Sequence, residues 1–455
     1  MSSFFYARRV GSNPAHASVC APVVLASLAS LGSLAIAASS LASASDKQSD
    51  PSQDKDSPHG WVVFAEHIYT ASGRVVDKGM VTVNNGKISA VTPGRDEALP
   101  KDTLKAFAVT PGLIDASVRI DSGLESVEQS REISPDTRVA DTLDLYSIDW
   151  DRQVRSGVTT VLATAPDYDV IGGLGVVLKT GGKESIAART VKSDAVLRGS
   201  MGSQPSEGNH PAFGRPTDFY SRRPTTRMGV EWEWRKAFFD TAAAQRDSSR
   251  AFPGSDKLLA VMKGELTLSI QAWTTQDIRT AVFLKEEIER DLGAHPRMFI
   301  DAAAEAWKEP QLLVRSKTPV VLPPFPAGGR TAEGAFMAWN VAEQLREQGV
   351  LIALSSHGSE NLEARLAMQA GYAMRGGLMP TEQEQKNGVP PLEYALEAVT
   401  INPARLLGVE NRVGTLEVGK DADLVLWNGP PFEPSSRIIG VVLDGVLKVD
   451  PRPRE

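Results

Sequence analysis

The residues able to do chemistry in this chain are scattered in an unusual way. Beyond His16 the histidines are His59, His67, His210, His295 and His357, and none of these lies within two residues of another. No HExxH helix and no DxDxDG loop occurs, so the common zinc and calcium patterns are missing. What remains is a set of polar residues at the ends of apolar runs. VTPGLIDASVRIDSG (109–123) carries Asp115, Ser117 and Arg119, and VLRGSMGSQP carries Arg198, Ser203 and Gln204. LSIQAWTTQDI carries Gln271 and Trp273, FIDAAAEAW carries Asp301 and Ala302, and Ser355-Ser356-His357 follows another apolar run. His357 is the candidate proton-transfer residue. A guanidinium and an indole, Arg119 and Trp273, are suited to clamping a carboxylate and stacking on an apolar body. Ser355 and Ser356 put hydroxyls beside an imidazole, but sequence neighbours do not make a nucleophilic pair, and no GxSxG elbow is present. Gly172-Gly173-Leu174-Gly175 lacks the Lys-Ser/Thr that a phosphate loop requires.

The elements that must position these residues follow from periodicity. WVVFAEHIYT, MVTVNN and KISAVT are short, β-branched segments separated by turns such as Asn84-Asn85-Gly86. From about Pro111 to Leu407 apolar strands (TTVLAT, LTLSIQ, PRMFID, TPVVLP, GVLIALSS) alternate with helical runs. One such helix is predicted over residues 275–292, where Ile278, Val282, Ile288 and Leu292 recur at helical spacing and Thr274 or Thr275 is the cap. Beyond Gly414 the texture returns to β. A barrel flanked by strands at both ends implies one small sandwich built jointly by the two termini. The aromatic run GVEWEWRKAFF reads as a helix packed on the barrel, or as a partner surface.

The 455 residues, 42% hydrophobic and 23% charged, are ample for a large core. Arg8 and Arg9 precede an uncharged stretch ending in Ala42-Ser43-Ala44, the pattern of a secretory signal. Residues 1–44 are therefore expected to be removed on export to the periplasm, and residues 45–60 to form a flexible linker. The lone cysteine, Cys20, lies within that signal. The net charge of −7 becomes more negative when two arginines and no acid are cleaved away. That argues against nucleic acid as a partner, and no stable membrane insertion is expected after cleavage.

Several of these segments resemble the amidohydrolase superfamily, in its imidazolonepropionase-like and prolidase-like exported branch. VNNGKISAVTPG, VTPGLIDA, VRSGVTTVLATAP with VIGGLGVVLKT, RRPTTRMGVEWEWRKAF and TINPARLLGVENRVGTLEVGKDADLVLWNG carry the resemblance, in the family's order. It implies an α/β fold: a (β/α)8 TIM-like barrel over 111–410 with a composite β-sandwich from 61–110 and 411–455. It also implies a divalent metal such as zinc at the C-terminal ends of the strands. The family's His-x-His positions hold Ser117 and Arg119. Its strand-four lysine and carboxylate region holds Arg198, Ser203 and Gln204. Its strand-five histidine is Gln271, its strand-six histidine is Ala302, and His357 stands at the catalytic Asp. Arginine offers no lone pair, so Arg119 repels a cation. The ligand-pocket residues read from this set are Asp115, Ser117, Arg119, Arg198, Ser203, Gln271, Trp273, Asp301 and Ala302. Arg119 is expected to fill the vacated cavity by pairing with Asp301 or Asp115. The resulting expectation is a metal-free pseudoenzyme that binds a small ligand, pairs with an active amidohydrolase paralogue, or self-associates. The alternative is a surviving hydrolase of carbon–nitrogen bonds with one divalent ion held by His357, Asp301 and Asp115.

Overall fold

The computed structural model describes residues 60–94, 99–100, 102–119, 128, 130–206, 223–326, 332–358 and 365–452. The expected signal segment, Cys20, the linker up to His59, and His210 lie outside the described residues. Four strands open the chain: β1 (Trp61–Tyr69), β2 (Val75–Asn84), β3 (Lys87–Pro93) and β4 (Leu104–Pro111). The β2–β3 turn shows why Asn85-Gly86 stands there. Both residues have positive φ, 49° and 73°, as a twisted two-residue hairpin requires. A Cβ on Gly86 would also meet the Asp444 carbonyl oxygen at 2.9 Å.

The barrel strands follow: β5 (Leu113–Val118), β6 (Val158–Ala163), β7 (Ile171–Lys179), β8 (Thr190–Ser200), β9 (Thr267–Gln271), β10 (Met298–Asp301), β11 (Val320–Leu322) and β12 (Ile352–Leu354). Helix α1 (Ile148–Arg155) precedes β6, and the single turn α2 (Ile186–Arg189) precedes β8. Between β8 and β9 lie α3 (Arg227–Arg246) and α4 (Ser255–Met262). Helices α5 (Thr275–Leu292), α6 (Pro310–Ser316) and α7 (Val341–Glu347) alternate with the later strands. After β12 come α8 (Leu366–Arg375), α9 (Glu382–Lys386), α10 (Glu393–Ala398) and α11 (Ile401–Leu407). Three strands close the chain: β13 (Leu424–Trp427), β14 (Ile438–Leu443) and β15 (Val446–Val449).

Strands β5 to β12 form one eight-stranded sheet, nearly closed, and the terminal strands form a second sheet in the order β15-β14-β13-β4-β1-β2-β3. The α/β barrel and the composite sheet from both chain ends agree with the sequence reading. One departure is local: β7 runs antiparallel to both β6 and β8. The cause is the connection lengths, since only a short loop joins β6 to β7, too short for a crossover helix. Helix α5 has the predicted span, with the Thr274 hydroxyl capping the Asp277 N–H and Gly293 ending it in the left-handed conformation.

Period-two geometry sorts the strand residues. Leu197, Leu268, Ile270 and Ile300 pack with Trp234, Phe238 and Ile278, buried residues of α3 and α5. Val196 and Phe299 join the other cluster, with Ile114, Leu162, Val321 and Ala353. Arg198 and Asp301 follow Val196 and Phe299 on that same side, toward the C-terminal ends of β8 and β10. The two sheets are tied by Lys179, 2% exposed, whose ammonium lies 2.5 Å from Asp423, 3.1 Å from Asp421 and 3.2 Å from Asp444.

A second tie links the β1–β2 turn to α10, where the Gly73 N–H donates to Glu393 Oε1 at 2.6 Å. Burial pushes the Glu393 carboxyl up to about 7 from its ordinary 4.5, Glu397 adds to the rise, and the Gly73 N–H opposes it. A raised carboxyl stabilises the fold fully below its unfolded value, and that contribution disappears as pH climbs through the folded value. Glu393→Gln keeps the acceptor without the charge. Its stability relative to the parent should rise from about pH 5 to about pH 8, by up to about 3 kcal/mol in urea titrations. Parallel pH curves for the two proteins would contradict this origin.

Candidate functional site

At the C-terminal ends of the barrel strands the polar residues meet in a buried ion network. Arg198, projecting from β8, is 1% exposed. Its Nε donates to Asp167 Oδ1 at 2.7 Å, its Nη1 to Ser269 Oγ at 2.9 Å, and its Nη2 lies 2.6 Å from Asp301 Oδ2. Asp301, at the end of β10, also accepts from Ser117 Oγ at 2.7 Å and stands 3.3 Å from His357 Nε2. Arg119 pairs with the other oxygen of Asp167. Burial alone would raise the Asp301 carboxyl, but Arg198, His357 and Arg119 together hold it well below the usual carboxylate range. Burial likewise opposes the Arg198 charge, and Asp167 with Asp301 reverses the sign and raises it.

Asp115 plays a different part. Ser355 Oγ donates to its Oδ1 at 2.6 Å, while Ser356 gives its Oδ2 an N–H at 2.9 Å and a hydroxyl at 2.5 Å. The Ser117 N–H reaches Oδ1 at 3.2 Å. These bonds join the chain just after β12 to β5, the two edge strands of the barrel sheet. Asp115 therefore staples the barrel seam. Burial raises its carboxyl, and the four hydrogen bonds oppose that rise.

Gln271 accepts from Ser200 Oγ at 2.8 Å and donates to Gln204 Oε1 at 2.7 Å. Ser203 belongs to a neighbouring group, where its N–H donates to Glu333 at 3.3 Å and Arg227 binds both Glu333 and Asp277. Trp273 lies edge-on to His357, ring centroids 5.8 Å apart, and packs with Ala302 and Ala304. Trp273 Nε1 and Arg119 Nε are buried and have no hydrogen-bond partner among the described residues. Ala302 and His357 both hold left-handed backbone, φ 59° and 51°, a strained state for residues with a Cβ.

The structure corrects one expectation. Arg119 pairs with Asp167, not by hydrogen bond with Asp301 or Asp115, and the cation between the strand-end acids is Arg198. The reason is position: Arg198 rises from within the barrel wall, whereas Arg119 lies beyond the end of β5. Asp167 escapes the sequence reading because it sits in the loop after β6, outside any periodic run. Its only signal is an acid shortly after a barrel strand.

These residues do not fit a divalent ion of the family type. Both Asp115 oxygens serve serines, and both Asp301 oxygens face Arg198, Ser117 or His357. Arg119 and the Ala302 side chain offer no lone pair, and the Gln271 carbonyl oxygen, a weak neutral donor, already accepts from Ser200. Among the described residues no group of three or more His, Cys, Asp or Glu is placed to hold a metal.

Comparison with known proteins gives a consistent picture. A family model described as the amidohydrolase family matches residues 338–448. Amidohydrolase tasK of Hapsidospora irregularis is 23% identical over 429 residues, covering 83% of this chain and 40% of that protein. Urease subunit alpha of Photorhabdus laumondii is 31% identical over 139 residues, 28% of this chain and 24% of the urease subunit. The chain thus spans less than half the length of these relatives. Among solved structures, an amidohydrolase from Thermotoga maritima superposes with a TM-score of 0.72 at 26% identity, over 86% of this chain and 99% of that one. A Xaa-Pro dipeptidase with bound methionine in its active site shares the fold, with a TM-score of 0.52 at 16% identity over 86% and 100%.

The ion network makes a stability prediction. Arg198→Met leaves the buried Asp301 carboxylate without its guanidinium partner and Asp167 with Arg119 alone, and should cost about 3–5 kcal/mol at neutral pH. Adding Asp301→Asn should recover part of that loss, because one uncompensated charge is removed. The Asp301 contribution, from a depressed carboxyl, is present above its unfolded value and fades as pH falls. Denaturant titration of the single and double variants checks this; strictly additive losses would contradict the pairing.

Proposed function

We propose that this chain, a member of the amidohydrolase superfamily of barrel hydrolases, binds a small acceptor-bearing ligand without a catalytic metal. The observation that carries this reading is the Arg198 guanidinium, buried between Asp167 and Asp301 at 2.7 and 2.6 Å. It stands where the family resemblance puts a metal-bridging residue, and it neutralises the acids with a fixed cation. A divalent ion there would have to displace a paired, buried guanidinium from its carboxylates.

The ligand reading is supported by two buried N–H donors that have no hydrogen-bond partner among the described residues, Trp273 Nε1 and Arg119 Nε. An orphan N–H costs desolvation energy unless something accepts from it. A carboxylate or amide carbonyl meets that need, and the Trp273 face suits an apolar substituent. His357, just after β12, closes the same set through its edge contact with Trp273. The relatives' chemistry on carbon–nitrogen bonds makes N-acyl amino acids and dipeptides the first compounds to examine, as ligands rather than substrates. Export to the periplasm, proposed from the N-terminal segment, would place the protein among such extracellular peptides.

Two measurements test this. Equilibrium dialysis against zinc should leave below about 0.1 equivalent bound per chain, and one tightly held equivalent would overturn the reading. N-acetylated amino acids should bind unhydrolysed, and Trp273→Phe, which removes the N–H donor together with part of the ring, should weaken them by about fivefold to tenfold. Turnover of these compounds by the zinc-free protein would favour an enzyme instead.

A further inference from the structure

Away from the barrel mouth, a cleft of about 650 Å³ opens between the end of α1, the first turn of α8 and the segment following β13. Its floor is aromatic. Trp427 and Phe432 meet edge to face with centroids 5.5 Å apart, and Trp427 is pinned by donating its indole N–H to Thr110 Oγ1 at 3.1 Å. Met368, 39% exposed, adds an apolar wall.

The rim is cationic. Arg155, Arg365 and Arg437 all line the cleft, in a protein whose net charge is −7. Arg155 is engaged with Asp151 at 2.6 Å. Among the described residues Arg365 and Arg437 have no ion-pair partner. The one acid of the wall, Glu433, lies 3.6 Å from Arg375. The backbone N–H of Arg437 donates to Asn428 Oδ1 at 2.7 Å, which fixes the loop that presents this arginine. The Ser436 hydroxyl oxygen, beside it, is buried and has no hydrogen-bond partner among the described residues.

We propose that this cleft is a second binding site, for a small organic carboxylate with a flat apolar body. Guanidinium forks match carboxylate oxygens and the aromatic floor takes the apolar part. The volume is that of a small-molecule site. The site shares no residue with the Arg198 network and does not depend on the reading of the barrel mouth.

Isothermal titration of the full chain with 2-naphthoate tests the proposal. One naphthoate should bind in the cleft, and the double variant Arg365→Gln/Arg437→Gln should weaken that event at least about tenfold. Both arginines are exposed, so thermal unfolding of the variant should match the parent. Arg315→Gln, on the remote α6, should leave binding unchanged, and 2-naphthylmethylammonium, of equal size and opposite charge, should not bind. The proposal falls if naphthoate does not bind, if the ammonium binds equally well, or if the double variant binds as the parent does.

Discussion

Everything at the strand ends depends on one guanidinium. Arg198 is a permanent cation sealed among carboxylates, and it fixes the charge state of its surroundings. Arg198 lies between Asp167 and Asp301 and helps hold the buried Asp301 carboxyl well below the usual carboxylate range; without it Asp301 would lose its guanidinium partner. The planar fork also fixes geometry. It links β8 to β10 and to the loop after β6, so three parts of the barrel wall are held at set distances by one side chain.

That network divides labour with Asp115. The barrel sheet has two edges, β5 and β12, and an open edge is unstable unless it is bridged. Asp115 bridges it through Ser355 and Ser356, just before His357 turns into the left-handed conformation. In this chain a strand-end acid that superficially suggests metal binding has become a hydrogen-bond acceptor for the fold. Lys179 does the corresponding work at the junction between the sheets, compensating three aspartates from a position nearly sealed from water.

Much of the architecture was legible in the sequence because it rests on local patterns. Continuous apolar runs such as TLSIQ announce buried strands, Asn85-Gly86 announces a tight hairpin, and Thr274 with Gly293 brackets α5. The reversal of β7 is less visible, since its sequence reads as an ordinary buried strand and only the short connection betrays it. At the site, the identity of most residues could be anticipated but not their pairing. Whether Arg119 or Arg198 fills the space before Asp301 depends on which strands are neighbours and how far each side chain lies past its strand end. Asp167 was missed because a loop acid carries no periodic signal. The two exposed arginines near Trp427 were invisible for a similar reason: Arg365 and Arg437 are distant in sequence and meet only when β13 and α8 pack.

The central claim is that a protein cation occupies the place that the family resemblance gives to a metal. The most direct measurement is anomalous diffraction at the zinc edge from crystals grown with zinc present. The account predicts continuous side-chain density for Arg198 between Asp167 and Asp301, and no anomalous peak among Asp115, Asp301 and His357. A peak at that point, with Arg198 swung away from the two carboxylates, would contradict it.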